Sequence, residues 1–453
     1  MTSVADIRAE PHLGPVRVMR GDSPAPVEEG AHRAGGAVAR AVVHGVLRWL
    51  HDGRLHLVEA GRTSSYGSTL SGTGEAASAE AGVGEPGLEA TVRVHSPRAY
   101  SALVAERSVG LGRGYFDGLW DCDDLVSLIR ILLRLARPTE RRAGSLARLS
   151  APVLDRLGRA RHREDRERDR SFISAHYDLG DEMFATFLDE TMMYSCAVFD
   201  SPQTPLAEAS AAKLENICTK LALRPGQRVV EIGGGWGGFA IHAAKRFGVK
   251  VTTTTISARQ YDYMVERVRS AGLADRITVV QSDYRDLAGT FDALVSIEMI
   301  EAVDWRDHDT FFGACSRLLA PGGLMGLQAI VIGDRSFERA KHSEDFLKRF
   351  IFPGSCIPSI GAIVASASCA GGLRVVDLED IGRHYAETLA RWRVAFDAAG
   401  EEHRRMGLDE RFRRLWRFYL AYCEAGFLEA HVSDVQVVLA KPGWRAPLAT
   451  RGH

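Results

Sequence analysis

Arg228-Val229-Val230-Glu231-Ile232-Gly233-Gly234-Gly235-Trp236-Gly237-Gly238 is the stretch on which the reading of this chain turns. Val229, Val230 and Ile232 make a short buried strand. The five glycines among the next six residues cannot prolong it, and they let the backbone turn sharply and pass close to a ligand. Phe239 to Phe247 then resumes at helical spacing. Working outward, Val249 to Ile256 reads as a second strand and Gln260 to Ala271 as a helix. Ile277–Gln281, Ala293–Ile297 and Leu324–Ile330 read as further strands, with helical or turn segments between them. A last strand, Val435–Leu439, follows a long, mostly helical region. This alternation predicts an α/β fold, a doubly wound parallel sheet with helical insertions that cover it as a lid.

The glycine cluster sits between strand and helix, and Gly233, Gly235 and Gly238 satisfy the dinucleotide spacing G-x-G-x-x-G. Two features argue against a nicotinamide cofactor. An acid, Glu231, already precedes the glycines, and the second strand ends in Thr253-Thr254-Thr255-Ile256-Ser257 without the carboxylate that would hold a ribose. An acid before a glycine loop is the arrangement of S-adenosylmethionine methyltransferases. After the third strand, Asp283 offers an acceptor for an adenine amino group and Tyr284 a ring to stack on it.

The remainder of the chain bounds the possibilities. Its 453 residues carry 57 Lys+Arg against 58 Asp+Glu, so no global field attracts nucleic acid. No apolar run reaches the ~18 residues a membrane span needs. The N-terminus has no apolar core segment, so no secretory signal is expected and the expected location is cytoplasmic. Seven cysteines without a C-x-x-C pair read as reduced thiols, and no metal site is expected. Residues 1–38, rich in proline and glycine, read as a disordered tail. Residues 39–137 read as a small α+β domain, interrupted by a flexible Ser/Gly/Ala-rich insertion at 64–87, with Tyr115, Phe116, Leu119 and Trp120 as an exposed-looking aromatic cluster. Asp123 is the expected cap of a helix from Leu125 to Arg137. Residues 138–170 form an Arg-rich connector: between Arg134 and Arg170 twelve arginines face six acids. It reads either as a solvated helix or as a basic face for an anionic membrane surface. The catalytic domain is placed at 171–442, with a tail at 443–453.

Several separate motifs carry a resemblance. His176-Tyr177-Asp178-Leu179-Gly180, Phe187 through Cys196, the glycine loop, Glu298-Met299-Ile300-Glu301, Phe350-Ile351-Phe352-Pro353-Gly354 and His384 through Leu389 resemble the cyclopropane-fatty-acyl-phospholipid synthase family, in the family's order. The wording Glu298–Ala302 and Leu327-Gln328-Ala329-Ile330 is similar to the branch that makes mid-chain methyl-branched acids of the tuberculostearic type. The resemblance implies a Rossmann-like class I methyltransferase sheet. It also implies S-adenosylmethionine bound by Tyr194, Ser195, Gly233, Gly235, Thr255, Ile256, Gln260 and Tyr284, with Glu231, Gly237, Asp283 and Ile297 as further candidates for the same site. It implies bicarbonate beside the sulfonium, held by Cys196, Glu301, Ile330 and Tyr385. The family's histidine ligand to that ion falls at Gln328, and the histidine after the catalytic glutamate is Ala302. Gln328 donates a hydrogen bond but carries no charge, which leaves the ion's retention open.

An alkene is a poor nucleophile, so its methylation needs a sulfonium held dry and in line, and it leaves a carbocation. π-faces tolerate such a cation, and Tyr194, Phe199, Phe350, Phe352 and Tyr385 are the candidates. Bicarbonate or Glu301 is the expected base. Glu298, three residues before Glu301 and on the same face if that segment is helical, reads equally as a solvated helix charge. Cys196 reads as a polar wall residue rather than a nucleophile. The expected substrate is a phospholipid with an unsaturated acyl chain, met by a peripherally membrane-associated enzyme. A homo-oligomer and a separate reductase that saturates a methylene product are further candidate partners. Two other readings stay open: a small-molecule methyltransferase on the same fold, and a non-catalytic lipid-binding protein.

Overall fold

The computed structural model describes residues 26–68, 87–136 and 180–445. The first described element is helix α1 (Pro26–Leu47), and strands β1 (Gly53–Glu59), β2 (Arg62–Ser68) and β3 (Glu89–Val94) follow. Helices α2 (Arg98–Glu106) and α3 (Ser108–Phe116), strand β4 (Trp120–Cys122) and helix α4 (Leu125–Ala136) complete the N-terminal unit. Its sheet has the order β2-β1-β3-β4. The β1–β2 hairpin turns at Ala60-Gly61, both in the left-handed region that a two-residue hairpin loop requires.

Four sequence expectations are corrected here. The helix begins at Pro26, inside the presumed tail, with proline where its missing N–H costs no hydrogen bond. Ser64–Ser68 belong to β2, because their ladder to β1 outweighs their small side chains. Asp124, not Asp123, caps α4: it accepts from the Ser127 amide (2.9 Å), while Asp123 accepts from the Thr91 amide. The aromatic cluster is buried, not exposed. Tyr115 and Trp120 pack on Phe418, and Phe116 packs edge-to-face on Phe350. The presumed tail before Pro26, the remainder of the insertion (69–86) and the connector lie outside the described residues.

The second unit opens with α5 (Asp181–Ala185) and α6 (Leu206–Lys220). Then come β5 (Arg228–Ile232), α7 (Gly238–Phe247), β6 (Lys250–Thr255), α8 (Ala258–Ser270), β7 (Ile277–Gln281), β8 (Phe291–Ile297), α9 (His308–Leu318) and β9 (Leu319–Ile332). The covering region holds α10 (Asp334–Ala340), α11 (Phe346–Phe350) and α12 (Ile360–Cys369), then β10 (Arg374–Asp380), α13 (Gly382–Ala398), α14 (Gly400–Arg405), α15 (Glu410–Leu428) and finally β11 (Val432–Ala440).

The seven-stranded sheet runs β10-β11-β9-β8-β5-β6-β7. β5 to β9 are parallel, and β11 lies antiparallel between β9 and β10. β10 escaped the sequence reading, because Arg374, Asp377, Glu379 and Asp380 give it the polarity of an edge. From β5 the chain winds outward to β7 and then returns to β8 on β5's other flank. The loops after β5 and β8 therefore diverge around a crevice at the carboxyl ends of the strands, where open α/β sheets bind ligands.

The two units share one core. Leu55, Trp120, Ile129, Phe346, Phe396 and Phe418 belong to a single buried cluster. Arg130 and Arg134 of α4 both bond Glu429, a nearly buried carboxylate just past α15.

Candidate active site

The glycine loop holds its shape through left-handed glycines: Gly233 (φ 86°), Gly235 (φ 54°) and Gly237 (φ 86°). Gly234 is the tightest of the group. A Cβ there would lie 2.0 Å from Thr253 Oγ1, whereas one on Gly235 would meet open space. Gly235 thus faces the crevice with bare backbone, as a bound ligand requires. Glu231 does not open onto that crevice. It is buried under the loop, accepts from Thr253 Oγ1 (2.6 Å), and burial pushes its carboxyl up to about 7. Its role in the fold is to brace β5 against β6.

Around the far rim, Thr255 donates to Gln260 Oε1 (2.8 Å), and Ile256 just past β6 is 77 % exposed. Ser257 caps α8 through the Gln260 amide. Tyr284 packs edge-to-face on Phe311 beneath the Arg285 guanidinium. Both Asp283 carboxylate oxygens bond Arg285, which holds that carboxyl below its ordinary range. Tyr194 reaches Tyr419, hydroxyl to hydroxyl (2.6 Å), and Ser195 accepts from Lys213 Nζ.

Behind Gly233 lies a second layer. A Cβ on Gly233 would press on Met299, so the glycine loop and the segment after Ile297 at the end of β8 abut. Glu298 adopts φ 48°, rare for a residue with a side chain and held here by its amide bond to the Gln328 carbonyl (2.9 Å). This conformation swings its carboxylate inward. The Cys196 amide and Gln328 Nε2 donate to Oε1 (2.8 Å each), and the Tyr385 hydroxyl donates to Oε2 (2.6 Å). The reading of Glu298 as a solvated helix charge is therefore overturned. Glu298 and Glu301 do not share an α-helical face either, because Glu301 lies in a short 3-10 turn, Ile300–Ala302.

Glu301 Oε1 accepts from the Ile330 amide (2.5 Å), while Oε2 is buried without a hydrogen-bond partner. Burial, then the neighbouring Glu298, pushes its carboxyl up to about 8, so it is largely protonated near neutrality. The Cys196 thiol is fully buried and raised well above its usual value by desolvation, which keeps it a thiol.

Three polar residues of this cluster were not singled out from sequence. Lys213 is completely buried on α6, and desolvation lowers its ammonium despite nearby Glu298 and Asp434. It had a signal: Ala209, Ser210, Lys213, Leu214 and Ile217 fall on one helical stripe. Asp434 and Gln436 had none. They reach the site because β11 registers Gln436 against Gln328 and Asp434 against Ile330. Gln436 Nε2 donates to Gln328 Oε1 (3.1 Å), which turns the Gln328 NH₂ toward Glu298 and Asp434. Burial, then Glu298 and Glu301, raises Asp434 well above its ordinary range.

Aromatic rings wall the cluster. Tyr385 stacks on Phe427 (4.4 Å between centroids), Tyr194 lies 5.3 Å from Trp392, and Phe352 meets Tyr419 edge-to-face. Phe350 and Phe199, expected among these π-faces, lie elsewhere. Phe350 packs on Phe116 and Phe346, and Phe199 sits between His384 and Arg391. Trp392, Tyr419 and Phe427 stand in the wall instead.

A glycine loop at the switch point of a doubly wound sheet, with bare backbone facing the crevice, is the cofactor site of a Rossmann-like fold, and the family match makes the chain an S-adenosylmethionine-dependent methyltransferase. The chain belongs to the mycolic acid cyclopropane synthetase family, whose model matches residues 164–437. It is 35 % identical to the tuberculostearic acid methyltransferase UfaA1 of Mycobacterium tuberculosis over 77 % of this chain and 83 % of that protein. Identity is also 35 % to the cyclopropane-fatty-acyl-phospholipid synthase of Escherichia coli, over 78 % and 88 %. Among solved structures, the mycolic acid cyclopropane synthase CmaA1 complexed with SAH and CTAB superposes with a TM-score of 0.55 at 30 % identity, covering 59 % of this chain and 97 % of that one.

Proposed function

We propose that this enzyme methylates the double bond of an unsaturated acyl chain in a phospholipid, giving a mid-chain methylene-branched chain. The observation that carries the reading is the aromatic-walled carboxylate cluster directly behind the glycine loop. It supplies the π-faces and anions that a carbocation needs. When bound, the methyl donor supplies an electrophilic methyl on a sulfonium.

The chain's own residues do the remaining work. Gly233, Gly235 and Gly237 shape the backbone against the donor, while Ile256 and Tyr284 offer apolar and aromatic surface on its far side. The rings of Tyr385, Trp392 and Tyr194 exclude water from the cation, and an anion of the cluster takes the final proton. A hydride shift before deprotonation gives the methylene, whereas direct ring closure gives a cyclopropane. The tuberculostearic-type relative favours the first outcome and the Escherichia coli relative the second. Saturating a methylene requires a hydride donor, which we assign to a separate reductase.

Such an enzyme draws an acyl chain from a bilayer. No helix among the described residues is long and apolar enough to cross a membrane. Val38, Val42 and Val46 instead form an exposed stripe along α1, and exposed Trp49 follows it. Apolar side chains on one helix face, with a Trp just beyond its end, support peripheral docking. The test of function is mass spectrometry of lipids from a host expressing the protein. A gain of one CH₂ on monounsaturated chains is expected, with fragmentation separating methylene from ring. Unchanged lipids, with methylation of a small molecule instead, would overturn the reading.

A further inference from the structure

Bicarbonate does not fit the residues present. Four of the donors expected to hold it are already engaged, the Cys196 amide, Gln328 Nε2 and the Tyr385 hydroxyl by Glu298 and the Ile330 amide by Glu301, which leaves, of the expected ligands, only the Glu301 carboxyl with an unpartnered oxygen. A diffusible anion at that position would lie against a carboxylate with those donors already committed, and it would bear the full cost of burying unpaired charge.

We propose that Glu298 is the built-in anion of this site: its carboxylate stands where bicarbonate is expected and accepts the proton that ends the reaction, so turnover needs no bicarbonate. The left-handed backbone at Glu298 is the device that folds this side chain back onto its donors. Gln328 belongs to the same arrangement. A neutral amide, oriented by Gln436, donates to a covalently tethered carboxylate without adding a titrating charge. Buried Lys213, on Ser195, supplies the nearby positive charge.

The inference rests on the methylene-forming reading, and the step balances. The alkene π pair forms the new C–C bond to the methyl as the C–S pair leaves with sulfur, and a 1,2-hydride shift moves the cation to the methyl-bearing carbon. A methyl C–H bond then breaks, its electron pair becomes the exocyclic C=C, and the proton passes to Glu298, which later releases it to solvent.

Two measurements test this. The first is calorimetric titration of bicarbonate into the full-length protein loaded with S-adenosylhomocysteine. Wild type should show no saturable heat, whereas Glu298→Gly, which suits the left-handed backbone and keeps the fold, should bind the ion. Saturable binding to wild type overturns the proposal. The second is the rate on vesicles of unsaturated phospholipid in CO₂-stripped buffer. Wild type should be unaffected by added bicarbonate. Glu298→Gly should lose about 100-fold or more and recover in part when bicarbonate is added. A wild-type rate that rises several-fold with bicarbonate, or a Glu298→Gly rate close to wild type in stripped buffer, would reject it. The titration needs no turnover, so a failure to methylate lipid would sink the substrate reading while occupancy of the anion position was still decided.

Discussion

Tyr385, on a helix of the covering region, donates its hydroxyl proton to Glu298, on the loop after a central strand, at 2.6 Å. The bond closes the lid region onto the sheet at the point where the chemistry is placed. Desolvation, then the Glu298 charge, raises the Tyr385 phenol well above its usual value, so it stays a donor at every working pH. Tyr385→Phe removes one of the three donors to Glu298 without changing shape. Turnover should fall by about 10- to 100-fold while affinity for S-adenosylhomocysteine holds. Equal losses in both would mark Tyr385 as a packing residue only.

Gly235→Val should abolish donor binding. Open space lies before its absent Cβ, so the new side chain meets the ligand rather than the protein, while φ 54° adds backbone strain that the thermal melt reports. Gly234→Ala should instead destabilise the fold, because its Cβ would collide with Thr253 Oγ1 beneath the loop. Calorimetry with S-adenosylhomocysteine, alongside thermal melts, separates the two effects. Wild-type affinity for NADH but none for S-adenosylhomocysteine would refute the cofactor assignment.

Glu301 predicts a pH dependence of stability. Folded, it holds its proton up to about 8, against an ordinary value of 4.5. Between those values the unfolded chain binds fewer protons than the native one, so stability falls as pH rises through the window. Glu231, raised to about 7, acts in the same direction. Glu301→Gln should flatten the decline of Tm between pH 5 and about 8. An identical slope in the variant would contradict the assignment.

Lys213→Met should leave the surrounding carboxyls without their buried cation. The expected loss is about 3 kcal/mol in urea unfolding, and part of it should return in Lys213→Met/Asp434→Asn. No recovery in the double variant would argue against coupling of the two groups.

The α1 stripe predicts that Val42→Asp and Trp49→Ala weaken sedimentation with anionic phospholipid vesicles and lower activity on them. Donor affinity should be unchanged. Unaltered sedimentation would move the docking surface elsewhere, the Arg-rich connector being the next segment to test.

The sequence by itself determined the parallel part of the sheet. Strand β5, the glycine loop and the following α/β alternation are local patterns whose periods and turn chemistry need no distant partner, and the structure places them within a few residues of their expected bounds. Motif order also named the residues expected to line the crevice. Tertiary structure alone decided where charge and π-surface meet. Glu298 looked as much like a surface charge as a site residue until its left-handed backbone and the Cys196, Gln328 and Tyr385 donors were in place. Asp434 and Gln436 enter through the antiparallel register of β11 on β9, more than a hundred residues away in sequence. Phe350 and Phe199 left the expected wall, and Trp392, Tyr419 and Phe427 took it, because helix packing decides which ring faces a cavity and which faces a neighbour. Pairing across such separations depends on closing long loops, and no local pattern encodes it.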